Sequence, residues 1–117
     1  MEHPLVPEAS RELHRQRQEL APDPAAAFKA FSDSVFADGA LSSKTKDLIA
    51  IAVAHVTQCP YCIRGHTASA LRKGATQQEV MEAIWVAAEM HAGAAYAHSS
   101  LALDTMSQVA ARHAAKA

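Results

Sequence analysis

The sequence predicts an all-α fold, a small helical bundle, and three observations carry that expectation. About a quarter of the 117 residues are alanine and only 5% are aromatic, which suits helices that approach closely over small side chains. Apolar residues recur at helical spacing in segment after segment. Helix-start and helix-stop signals punctuate the chain at Asp23-Pro24, Ser42-Ser43, Cys59-Pro60, Gly74 and Thr76 to Glu79,.

Glu8 to Leu20 carries Leu13 and Leu20 seven residues apart among Arg, Gln and Glu, the pattern of a polar helix with a thin apolar stripe for a surface or an oligomer contact. Pro22 and Pro24 interrupt it, and Asp23 is expected to cap a second helix with Pro24 in its first turn. There Phe28, Phe31, Val35 and Phe36 fall at helical spacing and read as core. Asp38-Gly39 is a turn signal, and Ser42 or Ser43 caps a third helix with Asp47 in its early turns. From Leu48 to Val56 nearly every residue is apolar, so this helix should be central with no wet face. A buried strand is the alternative, since Ile51 and Val53 alternate with alanine, but the alanines and the K-T-K-D-L start favour helix.

Pro60 cannot continue that helix without losing a hydrogen bond and clashing with the preceding turn, which places a break near Thr57 to Cys59. A fourth helix then starts with Cys59 at its N-cap, Pro60 first inside and Cys62 in the first turn, and runs past His66, Ala70 and Leu71 to a stop at Gly74. Thr76-Gln77-Gln78-Glu79 is a capping box opening the next helix through Val80, Ile84, Trp85 and Ala88. Gly93 is expected to kink this helix or divide it from a last one holding Tyr96, Leu101, Leu103 and Met106, with a fraying alanine-rich end. No internal repeat or long linker is visible.

With 50% hydrophobic and 20% charged residues, the chain reads as one soluble domain over 1–117, with the helix at 8–20 peripheral and a core at about 24–110. A core of small side chains is modest in area, so burial is expected to be completed in a homo-oligomer. A formal charge of −1 offers no basic face for nucleic acid, and Arg15 and Arg17 read as a solvated helix face. No run approaches the roughly 18 apolar residues of a membrane helix, and M-E-H-P-L-V-P-E lacks the basic start and apolar centre of a secretory signal. The expectation is a cytoplasmic protein with no membrane or nucleic-acid partner. In that compartment a close cysteine pair is catalytic or metal-binding more often than a structural staple.

Both cysteines lie between His55 and His66, in H-V-T-Q-C-P-Y-C-I-R-G-H. In the first turn of a helix, Cys62 meets unpaired N–H groups and the positive end of the dipole, which favour thiolate over thiol. His66 lies one turn later on the same face, placed to share or shuttle a proton, and Cys59 is close enough to form a disulfide once Cys62 is oxidised. A peroxide would take such a thiolate to sulfenic acid, and the neighbouring cysteine would condense with it to a disulfide that an external reductant reopens. Three other readings stand beside this one. Zinc could use Cys59, Cys62, His66 and His55, although no second C-x-x-C or H-x-x-x-H is present. The cysteines could be inert and buried. A thioredoxin-like motif would need flanking strands, and none is apparent.

The stretch L-S-S-K-T-K-D-L-I-A-I-A-V-A-H-V-T-Q-C-P-Y-C-I-R-G-H-T, followed by A-L-R-K-G-A-T-Q-Q-E-V-M-E-A-I-W-V-A-A, resembles the AhpD-like branch of the carboxymuconolactone decarboxylase family over about residues 39–103. The resemblance implies an AhpD-like helical bundle assembled as a trimer or hexamer. It also implies alkylhydroperoxidase activity on an organic hydroperoxide, with a thiol or dithiol reductant and no cofactor or metal. By resemblance Cys62 is the peroxide-attacking thiol, Cys59 its resolving partner and proton donor, and His66 part of a proton relay. Twelve residues before the first cysteine the family's peroxidases carry a glutamate. Here Asp47 stands there, one methylene shorter, so a bridging water would make up the reach. The histidine sometimes found before the second cysteine is Tyr61 here. His55 could take its part, although a core role is favoured for it. Glu82 is an acid near the site or a surface residue. His91 and His98 are not expected to be ligands, and no phosphate loop, G-x-S-x-G or H-E-x-x-H occurs. Two other functions remain open: decarboxylation of a lactone acid, as the family name records, and a non-enzymatic oligomeric module whose cysteines sense oxidation.

Overall fold

The computed structural model describes residues 5–116, so the outermost residues of the expected 1–117 domain lie outside it. Every element of the described residues is a helix: α1 (Arg11–Leu20), α2 (Pro22–Phe36), α3 (Ser43–Thr57), α4 (Pro60–Arg72) and α5 (Gln77–Lys116). The chain starts and stops these helices by local chemistry. The Oγ of Ser10 accepts the Leu13 N–H at 3.1 Å, so α1 begins at Arg11, three residues later than the sequence pattern suggested. Asp23 is not a cap: α2 already begins at Pro22, and Ala21 precedes it without a side-chain hydrogen bond. Pro22 needs no N–H there and its ring presets the helical φ, so the cap moves two positions back, to Ala21,.

Ser42 caps α3 by accepting the Thr45 N–H at 3.1 Å. That helix ends in a left-handed turn at Gln58 with φ 58°, and α4 starts two residues on with Cys59 as N-cap. The chain leaves α4 through Gly74 at φ +94°. Thr76 and Glu79 then exchange reciprocal side-chain to backbone bonds at 3.0 and 2.9 Å, the capping box that opens α5,. A Cβ at Gly74 would touch nothing within 4 Å, so Gly74→Ala carries only the cost of a left-handed backbone. It should lower stability by about 1 kcal/mol in urea unfolding without disturbing the cysteines.

The core is small and sits where α3 crosses α4 and α5. Ile51, Ala70, Ala75 and Val80 are buried there, with Leu48 and Ile84 packed against them. The central position expected of α3 is present, but its apolar circumference is not fully covered: Ile49, Val53 and Val56 are about half exposed. Phe28 and Phe31 depart further from the core expectation, at 69% and 63% exposure. The reason is architectural. Helix α2 packs against α1 and touches only the edge of α3, so among the described residues nothing lies over its outer face.

Gly93 does not divide the last helix. Helix α5 runs unbroken for 40 residues, because a glycine inside a helix keeps its N–H and costs only about 1 kcal/mol relative to alanine. At 1.5 Å per residue such a helix is about 60 Å long, and the molecule is accordingly elongated, 69 × 35 × 34 Å. Beyond Gly93 every described residue of α5 is exposed, the end at Lys116 included. No helix of the described residues is long and apolar enough to cross a membrane.

Candidate functional site around Cys59, Cys62, His66 and Asp47

The first turn of α4 carries the cysteine pair. Cys59 and Cys62 are joined as a disulfide, their Cα atoms 5.3 Å apart. The Cys59 Sγ also accepts the Cys62 N–H at 3.2 Å, filling one of the orphan donor positions of a helix start,. Pro60 between them fixes this geometry, since it can begin a helix but not sit inside one.

Asp47, from the first turns of α3, is 1% exposed and is the most buried polar side chain described. Its Oδ1 takes His66 Nδ1 at 2.9 Å, and its Oδ2 takes Ser69 Oγ and Lys73 Nζ, each at 2.7 Å. The bridging water expected between the shorter acid and the histidine is therefore unnecessary, because α3 and α4 pack closely enough for direct contact. Burial pushes the Asp47 carboxyl up, but hydrogen bonds from Lys73, His66 and Ser69 and the charge of Lys73 outweigh it, holding the carboxyl below its ordinary range,. With Nδ1 committed to a carboxylate, Nε2 is the nitrogen His66 has left for proton exchange. The ring is clamped from its side by Phe36, stacked at 4.7 Å between centroids.

Helix periodicity explains this grouping. Cys62, His66, Ser69 and Lys73 lie at i, i+4, i+7 and i+11 along one face of α4,. Ser69 and Lys73 were absent from the sequence-based site, although that spacing was there to be read. Phe36 was assigned to the core, and no sequence signal paired it with His66.

Lys73 also reaches Ser43 Oγ at 2.5 Å. Lys73→Met is expected to destabilise the fold by about 1 kcal/mol at neutral pH, a figure already reduced because the ammonium is partly solvated,. The sign follows from Asp47: a carboxyl held below its unfolded value stabilises above the ordinary aspartate range, and this is lost as pH falls through that range,. The difference between wild type and Lys73→Met should therefore be largest near neutrality and shrink below about pH 4 in urea titrations.

Two cavities meet at Cys62 and His66. One, of about 410 Å³, is a largely apolar groove between α2 and α3, with Val35, Phe36, Ile49 and Val53 among its walls. The other, of about 580 Å³, opens past Asp47, Ser69 and Lys73. Cys62 is exposed to both, and Cys59 borders neither.

Of the remaining candidates, Tyr61 lines the polar cavity together with Cys62 and His66, while His55 and Glu82 lie apart. His55 is half-buried with Nδ1 on the Ile51 carbonyl of its own helix at 2.7 Å, and it borders a different cavity, with Gln58, Pro60 and Ile63. Tyr61 flanks the cysteines, but its hydroxyl donates to the Pro7 carbonyl at 2.7 Å. Glu82 is exposed on α5 and borders none of these cavities. Among the described residues, no group of three or more His, Cys, Asp or Glu side chains is gathered closely enough to hold a metal ion.

The model of the family described as the carboxymuconolactone decarboxylase family matches residues 22–105. The chain belongs to that family. An uncharacterised protein in the cox locus of Paracoccus denitrificans is 64% identical over 83 residues, which cover 71% of this chain and 75% of the relative. An uncharacterised protein of Cupriavidus necator is 36% identical over 95 residues, covering 79% and 84%. Among solved structures, a carboxymuconolactone decarboxylase family protein from Legionella pneumophila is similar with a TM-score of 0.62 at 37% identity, over 68% of this chain and 70% of that one. A protein from Methanobacterium thermoautotrophicum gives 0.66 at 38% identity, over 70% and 92%. The family match begins at the start of α2, so α1 lies outside it.

Proposed function

We propose that this family member is a thiol-dependent peroxidase of the AhpD-like branch, acting on organic hydroperoxides. The observation that carries the proposal is the position of Cys62, where an apolar groove, a helix N-terminus and the histidine of the Asp47–His66 pair converge.

The Cys62 thiolate attacks the terminal peroxide oxygen. The O–O bond breaks, the oxygen stays on sulfur as sulfenic acid, and the alkoxide leaves as alcohol with a proton delivered through His66 or Cys59. The Cys59 thiolate then attacks the sulfenic sulfur, expelling water and forming the Cys59–Cys62 disulfide. Two electrons from a thiol or dithiol reductant restore both thiols. The apolar walls of the groove suit the alkyl part of the substrate, and Asp47 keeps His66 oriented throughout.

Turnover of cumene hydroperoxide to its alcohol with a regenerating thiol tests the assignment. A lactone acid decarboxylated by protein lacking both thiols would instead support the other chemistry of the family. The family includes AhpD-type peroxidases, and self-assembly belongs to the same proposal: Tyr96, Leu101, Leu103 and Met106 on the outer half of α5 are 84, 66, 60 and 59% exposed, an apolar run suited to a second copy,. Light scattering should give a mass of three or six chains, and a monomer at micromolar concentration would contradict it.

A further inference from the structure

The two sulfurs of the disulfide face different spaces. Cys62 borders the α2–α3 groove and the polar cavity beside Asp47, whereas Cys59 borders neither. Cys59 opens instead into a third cleft of about 580 Å³ between α1 and the start of α4, walled by Glu8, Leu13, Gln16, Arg17 and Leu20 on one side and Tyr61 on the other. Cys62 does not border this cleft. Its shape is set by two ties: α1 packs on α2, and Tyr61 holds the segment before α1 through the Pro7 carbonyl at 2.7 Å. Its charged lining is one acid and one base, Glu8 and Arg17, which suits a small ligand carrying both an ammonium and a carboxylate.

We propose that this cleft is the reductant subsite, that it takes a small zwitterionic thiol, and that the thiol attacks Cys59 rather than Cys62. The proposal rests on the redox reading of the cysteine pair. The incoming thiolate forms a bond to Cys59 Sγ, and the S–S bond breaks with its electron pair going to Cys62, whose thiolate takes up a proton from His66 or solvent. A second thiolate attacks the sulfur of the bound thiol, forming an external disulfide and releasing Cys59 as thiolate. The sum is two thiols oxidised to one disulfide and one protein disulfide reduced to two thiols.

The division has a functional consequence: oxidant and reductant reach one disulfide through different cavities, so a hydroperoxide held in the apolar groove need not leave before the thiol arrives. One contact opposes this direction of attack, because the Cys62 N–H on Cys59 Sγ would favour Cys59 as the leaving sulfur. Access decides between them, since thiol–disulfide exchange needs the nucleophile to reach one sulfur along the S–S axis.

The test uses the full chain oxidised with diamide, mixed rapidly with glutathione, quenched in acid and alkylated, with tandem mass spectrometry locating each modification. Glutathione is expected on Cys59 and the alkyl group on Cys62, by about tenfold over the reverse. An even split, a preference for Cys62, or no mixed disulfide at either sulfur overturns the proposal. Gln16→Trp, which fills the cleft from α1, should slow reduction by glutathione about fivefold, and an unchanged rate argues against the cleft as the entry path. Neither readout involves a hydroperoxide, so failure here and failure of the peroxidase assignment are separate results.

Discussion

Cys62→Ser is expected to lower hydroperoxide consumption by about a thousandfold or more, because serine at that position offers neither a thiolate nor a sulfur that can hold the transferred oxygen. Stability should change little, since Cys62 is exposed. Cys59→Ser should behave differently. Its Cys62 can still attack, so one equivalent of hydroperoxide is consumed in a first turnover, after which the sulfenic acid has no partner and steady-state activity stops. Burst kinetics in Cys59→Ser beside silence in Cys62→Ser distinguishes the attacking thiol from the resolving one. Equal loss of the burst in both variants would remove that distinction.

Asp47→Ala has the second large expected effect, and it acts on stability and chemistry together. The carboxylate is the common acceptor for His66, Ser69 and Lys73, so its removal leaves three donors facing a cavity. Removing an acceptor shared by three donors costs about 2 kcal/mol, the figure kept low because His66 and Lys73 are partly solvated,, and that is a large share of the stability of a domain this size. Loss of histidine orientation should lower the rate of Cys62 oxidation by about a hundredfold as well. Asp47→Asn separates the two contributions, since it keeps the volume and an acceptor but not the charge. Asp47→Glu, one methylene longer, is not expected to raise the rate. The 2.9 Å contact to His66 is already direct, and an added methylene in that packed site is expected to cost about 1 kcal/mol. Urea midpoints and single-turnover rates of the three variants check these statements.

What the sequence disclosed follows the range over which each signal acts. Proline and the capping residues act within one helical turn, and there the expectations were sound: Cys59 as N-cap, Pro60 first inside, the Thr76–Glu79 box and the stop at Gly74 are all present. Asp23 shows the limit of that rule, since a neighbouring Pro22 was an equally good helix start. Gly93 shows another, because a single glycine weakens a helix without ending it. The position of His66 one turn after Cys62 was legible for the same local reason. Asp47 was found through the family resemblance, but its direct contact with His66 depends on how closely α3 approaches α4, which spacing along one chain does not encode.

Aromatic burial was the least legible feature. Phe28 and Phe31 have the helical spacing of core residues, yet whether they are covered depends on the surface opposite, and the described residues leave both exposed. Phe36, one of the same set, instead stacks on His66. Hydrophobic spacing thus identified the face of α2 but not what that face meets.

The most direct measurement of the central claim is trapping of the first oxidised species. Reduced Cys59→Ser protein, treated with one equivalent of cumene hydroperoxide in the presence of dimedone, should give one dimedone adduct on Cys62 and one equivalent of the alcohol, read by mass spectrometry and chromatography. Unmodified Cys62 with the hydroperoxide unconsumed would contradict the account.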